Sequence, residues 1–375
     1  MKQEDVLYAI ALTRVLPYQS QVQNRLLEAA GSAKALYEAR HQLKDLIPDV
    51  SSRLSNLVSQ MDNHLARAEE EMAFAEKNHI QMLARDDVNY PARLRDCDDA
   101  PCILYYRGSA DLNCRHILSI VGTRKATDYG KSFCQHFLKD LSALCPDVLI
   151  ISGLAYGIDI NAHRQALANG LSTIAVLAHG LDQIYPRMHR TTAIEMLRQG
   201  GLLTEFMSQS VADKINFVAR NRIVAGMSDA TLLVESAIRG GGLITTRIAN
   251  DYGRDVFAFP GAVGAPYSEG CNDLIRRQGA GLITSAKHFV EAMGWQNDAQ
   301  LSEAQAQGIE RQLFPELTAD EQRVVAVLQR KNDLQINILS VQSGIAVGPL
   351  TALLFSLEMK GVVRTMAGGT YHLLM

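Results

Sequence analysis

The sequence predicts an α/β fold with a mostly parallel sheet, an all-α N-terminal region and a small C-terminal winged-helix-like unit. From about residue 81, short apolar runs of strand length alternate with amphipathic helical runs, as in βαβ units with both sheet faces covered. Before residue 81, apolar residues recur at three- and four-residue spacing without a strand signal. After residue 315, three helical segments precede a short hairpin around Gly368-Gly369.

The composition bounds the class of protein and its partners. The chain has 375 residues, of which 47% are hydrophobic and 21% charged, and its net charge is −3. An anionic partner must therefore meet a local basic patch. The sequence has neither a signal-peptide pattern nor an apolar run of membrane-spanning length, so we expect no membrane partner. Six cysteines form no CxxC, which favours free thiols and a cytoplasmic location.

Residues 1–80 are predicted to be a helical domain. The stretch LPYQSQVQNRLLEAAGSAKAL has the outline of a degenerate helix-hairpin-helix (SAM-like) module, which holds DNA backbone. A tight hairpin of that kind normally needs several glycines, and only Gly31 is present. We therefore expect a helical cap or interaction domain here.

Residues 81–295 are predicted to form the sheet domain, with right-handed crossovers. The segment NYPARLRDCDDAPCILYYRG is rich in turns and aromatics, which predicts an irregular lead-in with one added strand. The predicted strands that follow, each succeeded by a helical run, are ILSIVG, VLIISG, STIAVLA, GLLTEF, ATLLVES, DVFAFPG and GLIT.

A polar segment at 296–315 is predicted to link this domain to a winged-helix-like domain at 316–375. The C-terminal domain carries balanced charge. Its helical run GPLTALLFSLEMKG has no cation before Lys360, whereas major-groove readout needs polar and basic side chains. We therefore expect a protein-contact or weak duplex-binding role.

The residues that follow each predicted strand converge on one surface, because ligands of open α/β sheets sit beyond the carboxyl ends of the strands. Glycines there allow backbone amides to approach phosphate oxygens, and arginines bind phosphate in a bidentate manner. The predicted DNA- or phosphate-binding residues are Gly122, Thr123, Arg124, Ser152, Gly153, Gly157, Arg187, Lys214, Arg220, Asn221, Arg222, Gly240, Gly241 and Thr245.

Three further residues are predicted to structure the loops. Asp159 fits the N-cap of its helix, and His163 lies one helical turn further on. Glu235 is a candidate partner for an arginine, since Arg220 and Arg222 point about 200° apart on a helix. Which of the two arginines faces the ligand stays open.

Catalytic and cofactor chemistry has little support in the sequence. No histidine, cysteine or carboxylate set has metal-ligand spacing, and no G-x-S-x-G occurs. The turn VGTR lacks both the Walker and the dinucleotide-binding glycine patterns. We expect no metal, no cofactor and no catalytic residue.

Seven motifs in order resemble the DNA processing protein A (DprA/Smf) family, over roughly residues 85–290. The resemblance implies a Rossmann-like core in which Arg124 is the phosphate-binding arginine of G-[ST]-R. The motifs are VGTR (121–124), SGLAYGIDINAH (152–163), GLDQIYP (180–186), RNRIVAG (220–226), GGLITTRIA (241–249), GRDVFAFPG (253–261) and GCNDLI (270–275).

The resemblance also implies a function. A member of this family binds single-stranded DNA without catalysis, protects incoming strands in natural transformation (competence), and loads the RecA recombinase. It acts as a homodimer through the central domain. The exposed aromatic residues expected near the cations, Tyr156, Tyr185 and Phe217, suit stacking of bases.

Two alternatives stay open. The core also resembles nucleotide phosphoribohydrolases, whose P-G-G-x-G-T-x-x-E motif corresponds here to IRGGGLITTRIA. In this chain the proline is absent and Ile248 stands where the glutamate is needed, so Glu235 would have to face the pocket to act as base. A third hypothesis is an adaptor that binds a small nucleotide as a signal.

Overall fold

The computed structural model describes residues 3–295, 317–332, 334–360, 362–366 and 370–373. The chain forms two compact units, residues 1–296 and 297–375. The predicted linker at 296–315 and the Gly368-Gly369 turn lie outside the described residues.

The N-terminal region is helical up to residue 77, with a 3-10 turn at Met61–His64. Gly31, with a φ of 78°, ends the second helix, and the Ser32 hydroxyl caps the third by accepting the Ala35 N–H. The helices are α1 (Gln3–Val15), α2 (Ser20–Ala30), α3 (Ala33–Glu38), α4 (Leu43–Leu46), α5 (Ser52–Val58) and α6 (Leu65–Lys77).

The central region alternates strands and helices much as the apolar pattern predicts. The elements are β1 (Gln81–Ala84), α7 (Ala92–Arg95), β2 (Ile103–Gly108), β3 (Ile117–Val121), α8 (Asp128–Leu144), β4 (Leu149–Ser152), α9 (Ile158–Ala168), β5 (Thr173–Val176), α10 (Arg190–Gln199), β6 (Gly200–Thr204), α11 (Lys214–Gly226), β7 (Ala230–Leu233), α12 (Gly242–Asp251), β8 (Asp255–Ala258), α13 (Glu269–Arg276), β9 (Gly281–Leu282) and α14 (Ala286–Ala292).

These strands form one nine-stranded sheet in the order β1-β2-β6-β5-β4-β3-β7-β8-β9. All pairs from β6 to β9 are parallel, whereas β2 pairs antiparallel with β6 and β1 antiparallel with β2. The mostly parallel Rossmann-like sheet is thus confirmed. The lead-in segment contains one strand, β2, as predicted. Strand β1 precedes that segment and was not predicted, because it is only four residues long and half buried, which leaves a weak signal in the sequence.

Side chains alternate between the two faces of the sheet, as the period of a strand requires. On one face, Leu118 and Ile120 pack with Phe137 of α8 and Phe289 of α14. On the other, Ile117 and its neighbours pack with α11. Helices therefore cover both faces, and only the strand ends can present a site.

The N-terminal helices pack onto the sheet domain rather than standing apart from it. Their apolar core includes Ile103, Tyr105 and Met207 from the sheet domain. The buried Glu71 carboxylate of α6 accepts the Ser208 N–H at 2.9 Å and the Ser208 hydroxyl at 2.5 Å. These contacts join residues 3–295 into one body.

The C-terminal unit has the helix and strand order of a winged helix. Its core contains Val324, Leu328, Leu339, Leu350 and Leu354. Its strands form an antiparallel sheet in the order β10-β12-β11, and the elements are α15 (Ala319–Arg330), β10 (Leu334–Gln335), α16 (Ile336–Ser343), α17 (Val347–Met359), β11 (Val363–Met366) and β12 (Thr370–Leu373).

Among the described helices, none taken singly has the length and apolarity to cross a membrane. The bent pair α16 and α17, with 105° between the helices, meets the length and composition criteria when the two are counted together.

Candidate functional site

The strand order reverses direction between β3 and β7. From β3 the chain continues through β4, β5 and β6 on one side, then crosses back to place β7 on the other side of β3. The loops that follow β3 and β7 separate at this switch point, which is where ligands of open α/β sheets bind. A cavity of about 700 Å³ lies there.

The cavity, called the cleft below, brings together most of the predicted phosphate-binding residues. Its lining includes Gly122, Thr123, Arg124, Gly153, Asp159, Lys214, Arg220, Asn221, Gly240, Gly241 and Thr245. Segments that are far apart in sequence thus meet at one edge of the sheet.

The turn after β3 is held by its own backbone. The Thr123 N–H donates to the Glu235 carbonyl at 2.8 Å, and the Thr123 carbonyl accepts the Ile158 N–H at 3.1 Å. The Lys125 N–H donates to the Thr123 hydroxyl at 3.1 Å. The Thr123 and Lys125 amides are therefore already hydrogen-bonded within the turn in this conformation.

Glycines let neighbouring chain segments reach this turn. A Cβ on Gly122 would clash with the Ile158 side chain, and a Cβ on Gly157 would overlap the Thr123 carbonyl. Gly157 also has a φ of 79°, in the left-handed region. Gly157 therefore supports the turn from behind, and it does not line the cleft.

Arg124 projects from this turn with its charge uncommitted. Its side chain is exposed, and within the described part of the chain it forms no ion pair. Its guanidinium carbon lies 4.8 Å from the ring centroid of Phe217. The Phe217 ring lies 6.0 Å from that of Tyr185, which is 46% exposed. A cation and two aromatic rings thus share one wall.

Arg220 forms the floor of the cleft. It is 4% exposed, and its Nη1 donates to the Val176 carbonyl at 3.0 Å. A Cβ on Gly153 would overlap its guanidinium, so only glycine fits there. Its Nε has no hydrogen-bond partner in the described structure. Burial lowers the Arg220 pKa, and the nearby Asp159 carboxylate opposes that effect.

The two arginines of α11 therefore have different roles. Arg222 pairs with Glu205 and donates to the Ser20 hydroxyl of α2 at 3.1 Å, away from the cleft. The predicted carboxylate partner, Glu235, was wrong, because Glu205 at the end of β6 lies closer in space. A further bond from the Tyr18 hydroxyl to Asn216, at 2.7 Å, ties α11 to the N-terminal region.

Asp159 and His163 are buried and bond to different partners. Helix α9 begins at Ile158, so Asp159 lies within its first turn and the prediction of an N-cap was wrong. Its carboxylate accepts the Gly153 N–H at 3.2 Å. His163 Nδ1 lies 2.7 Å from the Thr173 hydroxyl, and burial lowers its pKa to about 3. The imidazole is therefore neutral near pH 7.

The Glu235 side chain is hydrogen-bonded to the start of α8. Its carboxylate accepts the Thr127 N–H at 2.9 Å and the Thr127 hydroxyl, and a Cβ on Gly130 would overlap it. It lines a second cavity of about 530 Å³ rather than the cleft. Glu235 is 2% exposed, and its carboxylate is bonded to Thr127, the N-cap residue of α8.

The structure leaves two more predicted residues outside the cleft. Ser152 is fully buried, and its hydroxyl donates to the Ile120 carbonyl at 2.6 Å. Arg187 is exposed in a 3-10 turn, Arg187–His189, that precedes α10. Cleft residues that the sequence did not single out as contacts include Lys125, Val218, Ile244 and Tyr267. Lys125 directly follows VGTR and Ile244 lies within GGLITTRIA, whereas Val218 and Tyr267 lie outside the seven motifs.

The fold and the cleft together define the class of protein to which the chain belongs. The chain is a Rossmann-like protein with a glycine-lined cleft at the switch point, lined by four cations against Asp159 and Asp213. Such a site is complementary to phosphate. Within the described residues, no group of three or more histidine, cysteine or carboxylate side chains is placed to hold a metal.

The particular family follows from comparison with known proteins. Residues 81–294 match the DNA recombination-mediator protein A family, and residues 310–369 match the DprA winged helix domain. The chain is 34% identical to protein Smf of Escherichia coli over 313 residues, 81% of this chain and 80% of that one. It is 38% identical to DNA processing protein DprA of Streptococcus pneumoniae over 198 residues, 53% and 69% of the two chains.

Solved structures of DprA proteins agree with these sequence matches. DprA from Streptococcus pneumoniae superposes with a TM-score of 0.59 at 31% identity, over 77% of this chain and 94% of that one. The single-stranded-DNA-binding DprA from Helicobacter pylori gives a TM-score of 0.52 at 28% identity, over 57% and 95%. The chain belongs to the DNA recombination-mediator protein A (DprA/Smf) family.

Proposed function

We propose that the cleft binds the phosphates of single-stranded DNA and that the chain is a non-catalytic recombination mediator. One observation carries the proposal: Arg220 lies buried on the cleft floor with an unbonded Nε, directly below Gly153. A buried cation without full partners is costly to maintain. A phosphate in the cleft supplies a second anion beside the Asp159 carboxylate.

Two further features favour a strand over a small nucleotide. Helix α12 begins at Gly242, and a Cβ on Gly241 would meet nothing within 4 Å, so the backbone there is open to approach. The Leu243 and Ile244 N–H groups donate to the Gly240 and Gly241 carbonyls, and within the described residues the Gly241 and Gly242 N–H groups remain for phosphate. Arg124, Phe217 and Tyr185 continue from the cleft as a cationic and aromatic surface. Sequence-tolerant binding of single strands uses this combination. The related Helicobacter pylori protein, described as binding single-stranded DNA, supports the assignment.

The runner-up, a nucleotide phosphoribohydrolase, has no suitable base at the predicted positions. Ile248 stands where the glutamate is needed, and Glu235 is bonded to Thr127 outside the cleft. The test is nucleoside-monophosphate turnover by the purified protein. We expect no release of free base above the rate in buffer. Steady release that is lost in Glu235→Ala would establish the enzyme instead.

We further propose that the chain loads the RecA recombinase onto the bound strand, protects incoming DNA during natural transformation, and acts in the cytoplasm as a homodimer through its central domain. These roles rest on family membership. Sedimentation of the full chain tests the dimer. The lag before RecA filaments form on single-stranded DNA tests loading, and an unchanged lag with this protein present would refute it.

DNA binding itself is tested by a length series of single-stranded oligonucleotides against duplex controls at two salt concentrations. We expect affinity to rise with strand length, to exceed duplex affinity, and to fall as salt rises, since several phosphates release counterions. Equal affinity for a mononucleotide and for long strands would favour the nucleotide-binding adaptor.

A further inference from the structure

A second cationic and aromatic surface begins where the cleft wall ends. The wall continues from Phe217 to Tyr185, which lies just before the 3-10 turn Arg187–His189 that leads into α10. This turn carries Arg187 and leads into Arg190, the first residue of α10, and both are exposed. A basic stretch therefore adjoins the site already described.

The same turn meets the start of α9. The Tyr156 ring packs edge-on against His189, with 5.2 Å between centroids, and Tyr156 is 41% exposed. Arg164 of α9 reaches α10, where its Nε donates to the Thr192 hydroxyl at 3.4 Å. Two elements thus bring a second exposed ring and a third arginine to this place.

The three arginines here are electrostatically uncommitted. Arg164, Arg187 and Arg190 form no ion pair within residues 3–295, and neither do Asp182 and Glu195, the acidic residues of segment 180–199. Exposed cations without partners attract anions at long range and are free to bind phosphate.

The turn is also held in place before any ligand arrives. The His189 Nδ1 lies 2.8 Å from the Leu154 carbonyl at the end of β4. The Tyr185 N–H donates to His179 Nε2 at 3.2 Å. A surface fixed in this way loses little conformational entropy on binding.

We propose that this surface, comprising Tyr156, Arg164, Tyr185, Arg187 and Arg190, is a second station for the same single strand, beyond the cleft. The arginines bind two or more additional phosphates, and Tyr156 and Tyr185 stack on bases. The proposal rests on the proposed function of the cleft. The position of this surface gives the direction in which the bound DNA leaves the cleft, over Phe217 and Tyr185 toward α10.

The test compares Arg164→Ala/Arg190→Ala with wild type, using oligothymidylates of about 5 and about 16 nucleotides. The short strand fills only the cleft, so its affinity stays unchanged. The long strand binds roughly tenfold more weakly, and the salt slope of its binding falls by about 1.4, or about 0.7 for each lost phosphate contact.

A matched double variant, Lys139→Ala/Arg198→Ala, controls for net charge. Arg198 precedes β6 and Lys139 lies in the second half of α8, so both are exposed at the amino-end side of the sheet, opposite the cleft. We expect wild-type binding at both lengths. Tyr156→Ala weakens the long strand alone, and Tyr156→Phe restores it, because the ring rather than the hydroxyl stacks.

The outcomes separate the two proposals. If Arg164→Ala/Arg190→Ala matches its control at both lengths while Arg124→Ala loses binding, the second station is wrong and the cleft assignment stands. An equal loss for short and long strands also refutes a separate station. If Arg124→Ala binds both strands like wild type, the cleft assignment fails, and the second station fails with it.

Discussion

The cleft and the winged-helix unit contain the same kinds of charged residue and use them in opposite ways. In the cleft, Arg124 is exposed without an ion pair and the buried Arg220 keeps an unbonded Nε. In the winged-helix unit, the Lys360 ammonium donates to both carboxylate oxygens of the buried Glu321 at 2.8 Å. Only the first arrangement leaves charge available for a ligand.

The difference extends to the surfaces around these residues. Helix α17 precedes Lys360 and exposes Phe355 (65%) and Met359 (74%). The cleft instead places glycines and one aromatic wall beside its cations. The comparison shows that composition alone does not reveal which cations the fold pairs with carboxylates and which it leaves unpaired.

The largest expected effect concerns the ion pair between Lys360 and Glu321 in the winged-helix unit. Burial alone would raise the Glu321 pKa, but hydrogen bonds from Lys360, the Thr318 N–H and Ser356 outweigh it and lower the pKa to about 2. A carboxylate with a lowered pKa stabilises the fold above its unfolded pKa, near 4.5, and that contribution is lost as the pH falls toward 2. We expect the winged-helix unit to lose up to about 3 kcal/mol in that window.

Hydrogen exchange of α15 and α17 in the full chain, at about pH 6 and about pH 3, measures this loss. Glu321→Gln is the comparison, since it cannot ionise and should show a smaller change between the two pH values. An identical pH response in Glu321→Gln would show that the Lys360–Glu321 pair does not hold the unit together.

A smaller effect is expected from the cleft floor. Gly153→Ala places a Cβ where the Arg220 guanidinium lies, so the arginine must move and lose its bond to the Val176 carbonyl. We expect about 1–3 kcal/mol of destabilisation and at least about tenfold weaker binding of single-stranded DNA. Urea unfolding and fluorescence anisotropy measure the two effects.

Gly241→Ala is the matched control for stability. Its Cβ meets nothing within 4 Å, and its φ of −62° suits any residue. Unfolding should be unchanged. If Gly153→Ala unfolds like Gly241→Ala and binds single-stranded DNA like wild type, then Arg220 does not form the cleft floor as described.

The smallest effect is expected at the winged helix. Arg364, in β11, is exposed. Arg364→Ala should change affinity for single-stranded DNA by less than about twofold, as is usual for one solvent-screened surface charge outside the binding site. Anisotropy titration of the full chain checks this. A tenfold loss of affinity would mean that the winged-helix unit also binds the DNA, so that its cations would not differ from those of the cleft in this respect.

The sequence predicted the parallel sheet and most of the cleft because both depend on local patterns. The alternation of short apolar runs and helices marks the strands, and glycines after the strands mark the approach of the turns. Gly122 and Gly153 were found in this way. The resemblance of seven motifs to one family added Arg124 as the phosphate-binding arginine.

The remaining features depend on contacts between distant segments. The pairing of Arg222 with Glu205 joins residues 17 positions apart on different elements, and the hydrogen bond with Ser20 spans 202 positions. The occupied amide of Thr123 and the buried hydroxyl of Ser152 likewise depend on partners that only folding brings together. No local pattern encodes these partners, so residue type alone did not separate the residues that line the cleft from those that are buried or already bonded.

The central claim is that Arg124 contributes an uncommitted charge to a strand-binding cleft. The most direct test is the salt dependence of single-stranded DNA binding for Arg124→Ala beside Arg198→Ala, an exposed arginine that precedes β6 at the opposite end of the sheet. We expect Arg124→Ala to weaken binding by about tenfold or more and to lower the salt slope by about 0.7, with Arg198→Ala unchanged. Equal affinities and slopes for the two variants would contradict the assignment of the cleft.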